Sequence, residues 1–113
     1  MPITRVSIRQ PFVEQILRGE KKKEYRSLPT NIRERVYLYA SLSPAFGSKS
    51  ILRKLGKEPG ELPSGKIVGS VEIVDCRPTS NGGFAYVLAN PKRLRTHLVA
   101  KNQPQPKFWI PQF

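Results

Sequence analysis

The sequence is poor in the side chains that bind metals and form disulfides. Cys76 is its one cysteine and His97 its one histidine. A single cysteine cannot form an internal disulfide, and so few nitrogen and sulfur ligands argue against a zinc site. We therefore expect neither a metal nor a cofactor. Cys76 ends an apolar segment and is interpreted as a small buried side chain, whereas His97 is interpreted as a surface residue.

Long apolar runs are also absent. None approaches the roughly 20 residues that a membrane-spanning helix requires. The first residues already read as a strand, so we expect no secretory leader. A length of 113 residues with 38% hydrophobic residues suits one domain over residues 1–113. Since nothing directs the protein elsewhere, a cytoplasmic location is the default expectation.

Acidic residues are scarce. Lys and Arg together number 20 against 8 Asp and Glu, which gives a formal net charge of +12, and no acidic residue follows Asp75. Such an excess favours polyanionic ligands, because each neutralised phosphate releases condensed counterions. Charge of this size also keeps small proteins soluble, so charge alone leaves a solubilising role open. An anionic membrane surface is less favoured, since no long basic amphipathic helix is present.

Apolar periodicity and turn residues predict two short helices. The first begins at Pro11, carries the stripe Phe12, Val13, Ile16 and Leu17, and ends at Gly19. The second begins at Ser43-Pro44, buries Ile51, Leu52 and Leu55, and ends at Gly56. The predicted strands are Ile3–Ile8, a segment starting near Lys23, Arg35–Ala40, Lys66–Cys76 and Phe84–Ala89.

Several details of these strands are predicted. In the first strand Arg5 should point outward. In the third, Tyr37 and Tyr39 should lie on the outer face, where they pack under a helix or stack on bases. Gly69 suggests a bulge or a tight bend. Asn90-Pro91 should start a short turn or helix that ends near Leu94, and the proline-rich end can supply at most an edge strand. The pattern indicates an α+β domain built on a small, partly closed barrel.

Six segments in order resemble one known family. They are SIRQPF, GEKKKEYR, VYLYAS, LPSGKIVGSVEIVDC, FAYVLANPKRL and KFW. Together they resemble an ASCH domain, a member of the PUA-like superfamily. The resemblance covers about residues 3–109 and implies a PUA-like pseudo-barrel with two or three short helices. It also implies a cleft between the barrel and the first helix, lined by Gln10-Pro11, Gly19, Lys21, Glu24 and Arg26.

The resemblance implies RNA or a nucleotide-like ligand as the partner. Some family members are ribonucleases, and others are amidohydrolases that deacetylate modified cytidine. The amidohydrolases carry Thr where this chain has Glu24, and their acidic residue in a later helix has no counterpart here. An enzyme would use Lys21 and Glu24 as its catalytic residues, and Glu24 with a cation could provide the base and charge stabilisation that RNA cleavage needs. A carboxylate beside Lys21 favours its charged form, however, which suits binding better than nucleophilic attack.

The charged run from Lys21 to Arg26 is the main candidate site. In an extended segment Glu24 and Arg26 share one face, and Lys21 lies just before it. Arg26 offers a bidentate fork to a phosphate or a base edge, Lys21 a point charge, and Glu24 an acceptor. Alternatively, the run is a solvated surface in which Glu24 and Arg26 form a weak pair.

The remaining binding candidates flank this run in the sequence or in the expected fold. Arg9 and Gln10 precede the first helix, Ser41 ends a strand, and Trp109 either stacks a ligand or closes the barrel. A second basic patch consists of Lys92, Arg93 and Arg95, which would contact an RNA backbone that extends beyond the cleft. A module that binds another protein is a third functional class that the sequence leaves open.

Overall fold

The computed structural model describes residues 4–45, 47–58 and 60–99. Trp109 and the predicted C-terminal edge strand lie outside these residues. The described part contains five strands and two helices, in agreement with the predicted α+β class. Their order is β1 Arg5–Ile8, α1 Phe12–Leu17, β2 Lys23–Arg26, β3 Arg35–Ala40, α2 Ser48–Lys54, β4 Lys66–Pro78 and β5 Phe84–Leu98.

All five strands form one sheet with the order β1-β3-β4-β5-β2. The β1–β3 pair is parallel, and the other three pairs are antiparallel. Within the described residues β1 and β2 are the two edges and do not pair with each other, so the predicted barrel is not closed. A side-chain hydrogen bond links these edges, from Arg26 Nη2 to the Ser7 carbonyl oxygen at 2.6 Å.

The core lies between the inner face of the sheet and α1. Val36, Leu38 and Ala40 of β3 are fully buried there, as their alternation predicts. Val13 and Ile16 of α1 pack against the same cluster. The helix ends as predicted, because Gly19 has a φ of +78°, a conformation that glycine adopts without a steric penalty.

The outer face of β3 carries a second, smaller cluster. Tyr37 and Tyr39 are buried there with Ile67, and Leu94 and Leu98 pack against them. The predicted helical cover is therefore wrong: the covering residues come from the far half of β5. A long strand that bends over its own sheet buries both aromatic side chains without an additional element.

The predicted start of the second helix is wrong. Helix α2 begins at Ser48 rather than at Ser43-Pro44, because Gly47 precedes it with a φ of +70°. Leu52 and Leu55 are buried as expected, whereas Ile51 is only partly buried. Arg5 lies on the outer face, as predicted, because it pairs with Tyr37. It is nevertheless fully buried there, with its guanidinium 4.9 Å from the centre of the Tyr39 ring. Burial lowers the pKa of Arg5 to about 10, against an opposing effect of Tyr39.

Strand β5 runs through Asn90-Pro91, where a turn or helix was predicted. Ala89 pairs with Glu72 and Lys92 with Ser70, so Asn90 and Pro91 together lie opposite one residue of β4. This arrangement is a bulge, in which an extra residue bends the strand and the proline needs no ladder hydrogen bond. Asn90 has a φ of 53°, and its side-chain amide donates to Glu72 Oε2 at 3.2 Å.

The predicted irregularity at Gly69 is confirmed. The register shifts there on both sides, between Leu38 and Tyr39 of β3 and between Ile67 and Gly69 in the pairing with β5. A Cβ atom on Gly69 would lie 2.5 Å from Leu17 Cδ2 and 2.5 Å from the Lys92 carbonyl oxygen. Only glycine allows α1 and β5 to approach the strand this closely.

Candidate nucleic-acid interface

The segment between α1 and β2 is tied to the helix by its backbone. The amides of Glu20 and Lys21 both donate to the Gln15 carbonyl oxygen, at 2.9 and 3.1 Å. The Lys22 carbonyl then accepts from the amide of Leu88 at 2.9 Å, which starts the pairing of β2 with β5. Both ends of the segment are therefore fixed, and its charged side chains are held at the edge of the sheet beside α1.

Lys21, Glu24 and Arg26 converge, as the strand alternation predicts; we call these three residues the charged cluster. Glu24 Oε1 lies 3.7 Å from Lys21 Nζ, and Glu24 Oε2 lies 3.0 Å from Arg26 Nη2. All three side chains are largely buried, with 12% of Glu24 exposed, so solvent screens these pairs less than exposed ones. The cluster is thus an ordered part of the structure rather than a solvated run.

Each cation of the charged cluster has further neighbours. Arg26 donates to the Ser7 carbonyl oxygen, so it joins β2 to β1 as well as to Glu24. Lys21 Nζ lies 5.1 Å from the ring centre of Phe12 and 5.3 Å from that of Tyr25. A lysine ammonium within about 6 Å of a ring centre is attracted by the face of the ring. Arg26 is therefore anchored by short contacts to β1 and Glu24, whereas the Lys21 ammonium lies farther from its carboxylate neighbour, at 3.7 Å.

A hollow lies between the end of α1 and the sheet; we call it the helix–sheet hollow. Its volume is about 260 Å³. Gly19 and Lys21 line it, as the resemblance implied for the cleft, whereas Gln10, Glu24 and Arg26 are not among its lining residues. Lys22, which is exposed, lines it as well. The other lining residues come from α1, β4 and β5: Ile16, Val71, Leu88, Ala89, Asn90 and Pro91. The hollow therefore combines a mainly apolar lining with two lysines.

Gln10 and Ser41 line a different hollow, of about 140 Å³, beside α2. The side chain of Gln10 is occupied there: its Oε1 accepts from the Glu14 amide at 3.1 Å, and its Nε2 donates to the Pro63 carbonyl oxygen at 3.0 Å. Gln10 therefore caps α1 and attaches to it the loop that contains Pro63. Arg9 is exposed. Among the predicted binding residues that the structure describes, it therefore forms two separate groups, the charged cluster and the pair Gln10 and Ser41.

The second basic patch divides into two parts. Lys92 and Arg95 are exposed on β5. Arg93 instead holds Glu14 of α1 through two hydrogen bonds, from Nη1 to Oε1 at 2.8 Å and from Nη2 to Oε2 at 3.0 Å. This pairing raises the pKa of Arg93. The patch therefore offers two exposed cations to a ligand and uses the third to attach the helix to the sheet.

Glu14 is the important polar residue that the sequence prediction missed. It is 5% exposed and also accepts from Arg18 Nε at 2.7 Å. Burial raises the pKa of Glu14, but the hydrogen bonds and charges of Arg93 and Arg18 outweigh it, so the net pKa is lowered. The i,i+4 spacing of Glu14 and Arg18 is a signal readable in the sequence, whereas the partner 79 residues away is not.

The described residues contain no group of three or more His, Cys, Asp or Glu side chains placed to hold a metal ion. No helix among them is long and apolar enough to span a membrane.

Comparison with known proteins gives two findings. The sequence model of the ASCH domain family matches residues 6–92, which is most of the chain. The chain is also 26% identical, over 126 aligned residues, to activating signal cointegrator 1 of Homo sapiens and to the protein of the same name from Mus musculus. Each alignment covers 92% of this chain and 21% of the relative, so the chain spans about a fifth of the length of these proteins.

Proposed function

This chain belongs to the ASCH domain family, and from that premise we propose that it binds RNA at the helix–sheet hollow. The observation that carries the proposal is that Lys21 and Lys22 line a mainly apolar hollow in a protein of net charge +12. The ligand is a single-stranded or looped segment, because sequence-specific RNA recognition relies on bases that are free to leave the stack.

The size and lining of the hollow suggest which part of the nucleotide each lining residue contacts. Small-molecule pockets typically measure about 300–1,000 Å³, so 260 Å³ suits one base rather than a long ligand. Leu88 and Pro91 supply apolar contacts for the base. The positive charges of Lys21 and Lys22 attract the phosphates of the nucleotide. This part of the binding is independent of the RNA sequence.

We assign Glu24 to holding cations rather than to removing a proton from the RNA. Each of its oxygens faces a cation, Lys21 on one side and Arg26 on the other. A carboxylate held in this way orients both cations. Arg26 is further committed to Ser7. In this arrangement Lys21 is the member of the charged cluster that contacts the ligand, and Arg26 positions the strand that carries it.

A longer RNA would continue from the hollow along the bulged part of β5. Asn90 and Pro91 line the hollow, and the exposed Lys92 and Arg95 follow in the same strand. These two residues extend the non-specific attraction to neighbouring phosphates. A single domain over residues 1–113 and a cytoplasmic location complete the proposal.

A salt titration with matched lysine variants tests this function. We expect a fluorescein-labelled ten-nucleotide RNA of mixed sequence to bind the protein in fluorescence anisotropy, with a Kd that rises steeply with salt. The slope of log K against log salt is negative, and each lost lysine contact should reduce its magnitude by about 0.7 for a single strand. Lys22→Ala should show this loss, and the Lys21→Ala, Lys22→Ala double variant about twice as much.

Lys49→Ala is the matched control, because Lys49 is exposed on α2 and its removal changes the net charge equally. We expect the control to retain the wild-type slope. Equal slopes for Lys22→Ala and Lys49→Ala would show that the attraction is spread over the whole surface and would refute the assigned site. Absence of binding at low salt would refute RNA as the ligand.

A further inference from the structure

Tyr25 is a large aromatic side chain on the surface, with 60% of it exposed. It lies in β2, which is an edge strand of the described sheet. Its exposure contrasts with Tyr37, Tyr39 and Tyr86, all of which are buried. We propose that Tyr25 is a base-stacking residue that holds the nucleotide next to the one in the helix–sheet hollow; this inference rests on the proposed function.

The charges around Tyr25 fit a nucleotide. Lys23 is exposed two residues earlier, and alternation along a strand places it on the same face as Tyr25. The ammonium of Lys21 lies 5.3 Å from the centre of the Tyr25 ring. An aromatic ring flanked by lysines presents a surface for a base together with charges for the phosphates on either side of it. This pairing is typical of sites for single-stranded nucleic acid.

Tyr25 also connects two hollows. Lys21, beside its ring, lines the helix–sheet hollow. Tyr25 itself lines a more open hollow of about 520 Å³ at the β4–β5 turn, which we call the hairpin hollow. Ser27, Thr79 and Asn81 are among the polar residues of this second hollow. The Thr79 hydroxyl donates to Asn81 Oδ1 there, so the Ser27 hydroxyl and the amide N–H groups of Asn81 are the ones that suit the sugar and phosphate of the following nucleotide.

The path between the two hollows follows β2. From Lys22 to Ser27 it is about five residues, or about 17 Å at a strand rise of about 3.4 Å per residue. Stacked nucleotides advance about 3.4 Å each along one strand, so this path accommodates at most about five of them and fewer in an extended strand. Tyr25 lies within the path, so oligonucleotides longer than one nucleotide should reach it.

A length series of RNA oligonucleotides tests the inference on the full chain. We expect the wild-type affinity to rise between one and four nucleotides, measured by anisotropy at constant salt. Tyr25→Ala should weaken tetranucleotide binding at least about five-fold, which corresponds to the lower limit of base–aromatic stacking. Mononucleotide binding should fall less, because a mononucleotide in the helix–sheet hollow is affected by Tyr25 only through Lys21. Tyr25→Phe should bind like the wild type, because the phenyl ring retains the stacking surface.

Tetranucleotides with one abasic position separate stacking from an indirect effect through Lys21. If Tyr25 stacks a base, one abasic position should weaken wild-type binding about as much as Tyr25→Ala does, and should not weaken the variant further. If the alanine variant loses equal affinity for the intact and every abasic tetranucleotide, stacking is refuted. Wild-type affinity of the Tyr25→Ala variant at every oligonucleotide length would refute the stacking inference. The Lys22→Ala variant would still test RNA binding at the helix–sheet hollow. Absence of wild-type binding refutes both proposals.

Discussion

Replacing Glu14 by Gln tests how α1 is held against the sheet. Glu14 is 5% exposed and accepts three hydrogen bonds, one from Arg18 and two from Arg93. Glutamine keeps the size of the side chain but removes its charge. It also presents an amide N–H group toward two guanidinium groups that have no acceptor to offer it. The helix would keep its apolar contacts and lose its ionic attachment to β5.

The expected loss of stability depends on how far the side chains of Glu14, Arg18 and Arg93 are exposed. Breaking a fully buried ion pair by removing one member costs about 3–5 kcal/mol. Here the Arg93 side chain is 50% exposed and the Arg18 side chain 33% exposed, so both recover hydration and screening reduces the loss. We therefore expect Glu14→Gln to have a free energy of unfolding about 2 kcal/mol lower than that of the wild type at pH 7. For a chain of this length that corresponds to a fall in Tm of about 8 °C.

The effect should depend on pH in a defined direction. The pKa of Glu14 is lowered in the folded protein from a reference value of 4.5. A carboxyl group of this kind contributes stability above its unfolded pKa and loses it as the pH falls through its folded pKa. The difference between wild type and Glu14→Gln should therefore be full at pH 7 and should narrow below about pH 4.5.

Urea unfolding followed by circular dichroism at a series of pH values measures this difference. Glu20→Gln is the matched control: Glu20 is exposed just beyond the same helix and loses the same charge. We expect the control to lie within about 0.5 kcal/mol of the wild type. Equal unfolding free energies for the two variants at pH 7, or a gap that persists unchanged at about pH 3, would refute the reasoning.

Two further substitutions test the packing of the sheet. Gly69→Ala places a Cβ atom 2.5 Å from the Lys92 carbonyl oxygen and from Leu17 Cδ2, so we expect a loss of about 2–3 kcal/mol in urea unfolding; an unchanged midpoint would contradict it. Tyr86→Phe removes the hydrogen bond from the phenol to the Leu28 carbonyl oxygen at 2.7 Å and should cost about 1 kcal/mol. Burial, the largest effect, raises the pKa of Tyr86 above its ordinary value of 10.0. In an absorbance titration of the wild type, Tyr86 should therefore ionise at a raised pH, and the Tyr86→Phe variant should lack this step. Loss of a tyrosine that ionises at lower pH would contradict the prediction.

The charged cluster was predictable because its members are close in the sequence. Strand alternation places Glu24 and Arg26 on one face, and Lys21 precedes them by only a few residues. The resemblance to the ASCH family indicated a cleft beside the first helix, and a hollow there is lined by Lys21 but not by Glu24 or Arg26. Gln10 was also singled out, but its side chain caps α1 and binds the Pro63 carbonyl. Sequence position alone does not reveal which hydrogen bonds a polar group has already made.

The errors share a physical cause. Asn90-Pro91 has the composition of a turn, yet the hydrogen bonds from Asn90 to Glu72 and from Arg35 to the Asn90 carbonyl hold it in a strand bulge. Arg5 has the polarity of a surface residue but is buried over Tyr39. In both cases the stabilising partner lies on a different strand, far away in the sequence. Local propensity is a weak preference that such contacts override.

The sequence by itself determined the class of elements, the alternation that buries the inner face of β3, and the basic charge. Each of these depends on the period of one segment or on composition, and none requires a distant partner. Tertiary structure alone decided that Arg93 holds Glu14, that β1 and β2 do not pair with each other within the described residues, and that Tyr25 stays exposed between two hollows. These features depend on which distant residues meet, and the free energy of such contacts exists only once the sheet has formed.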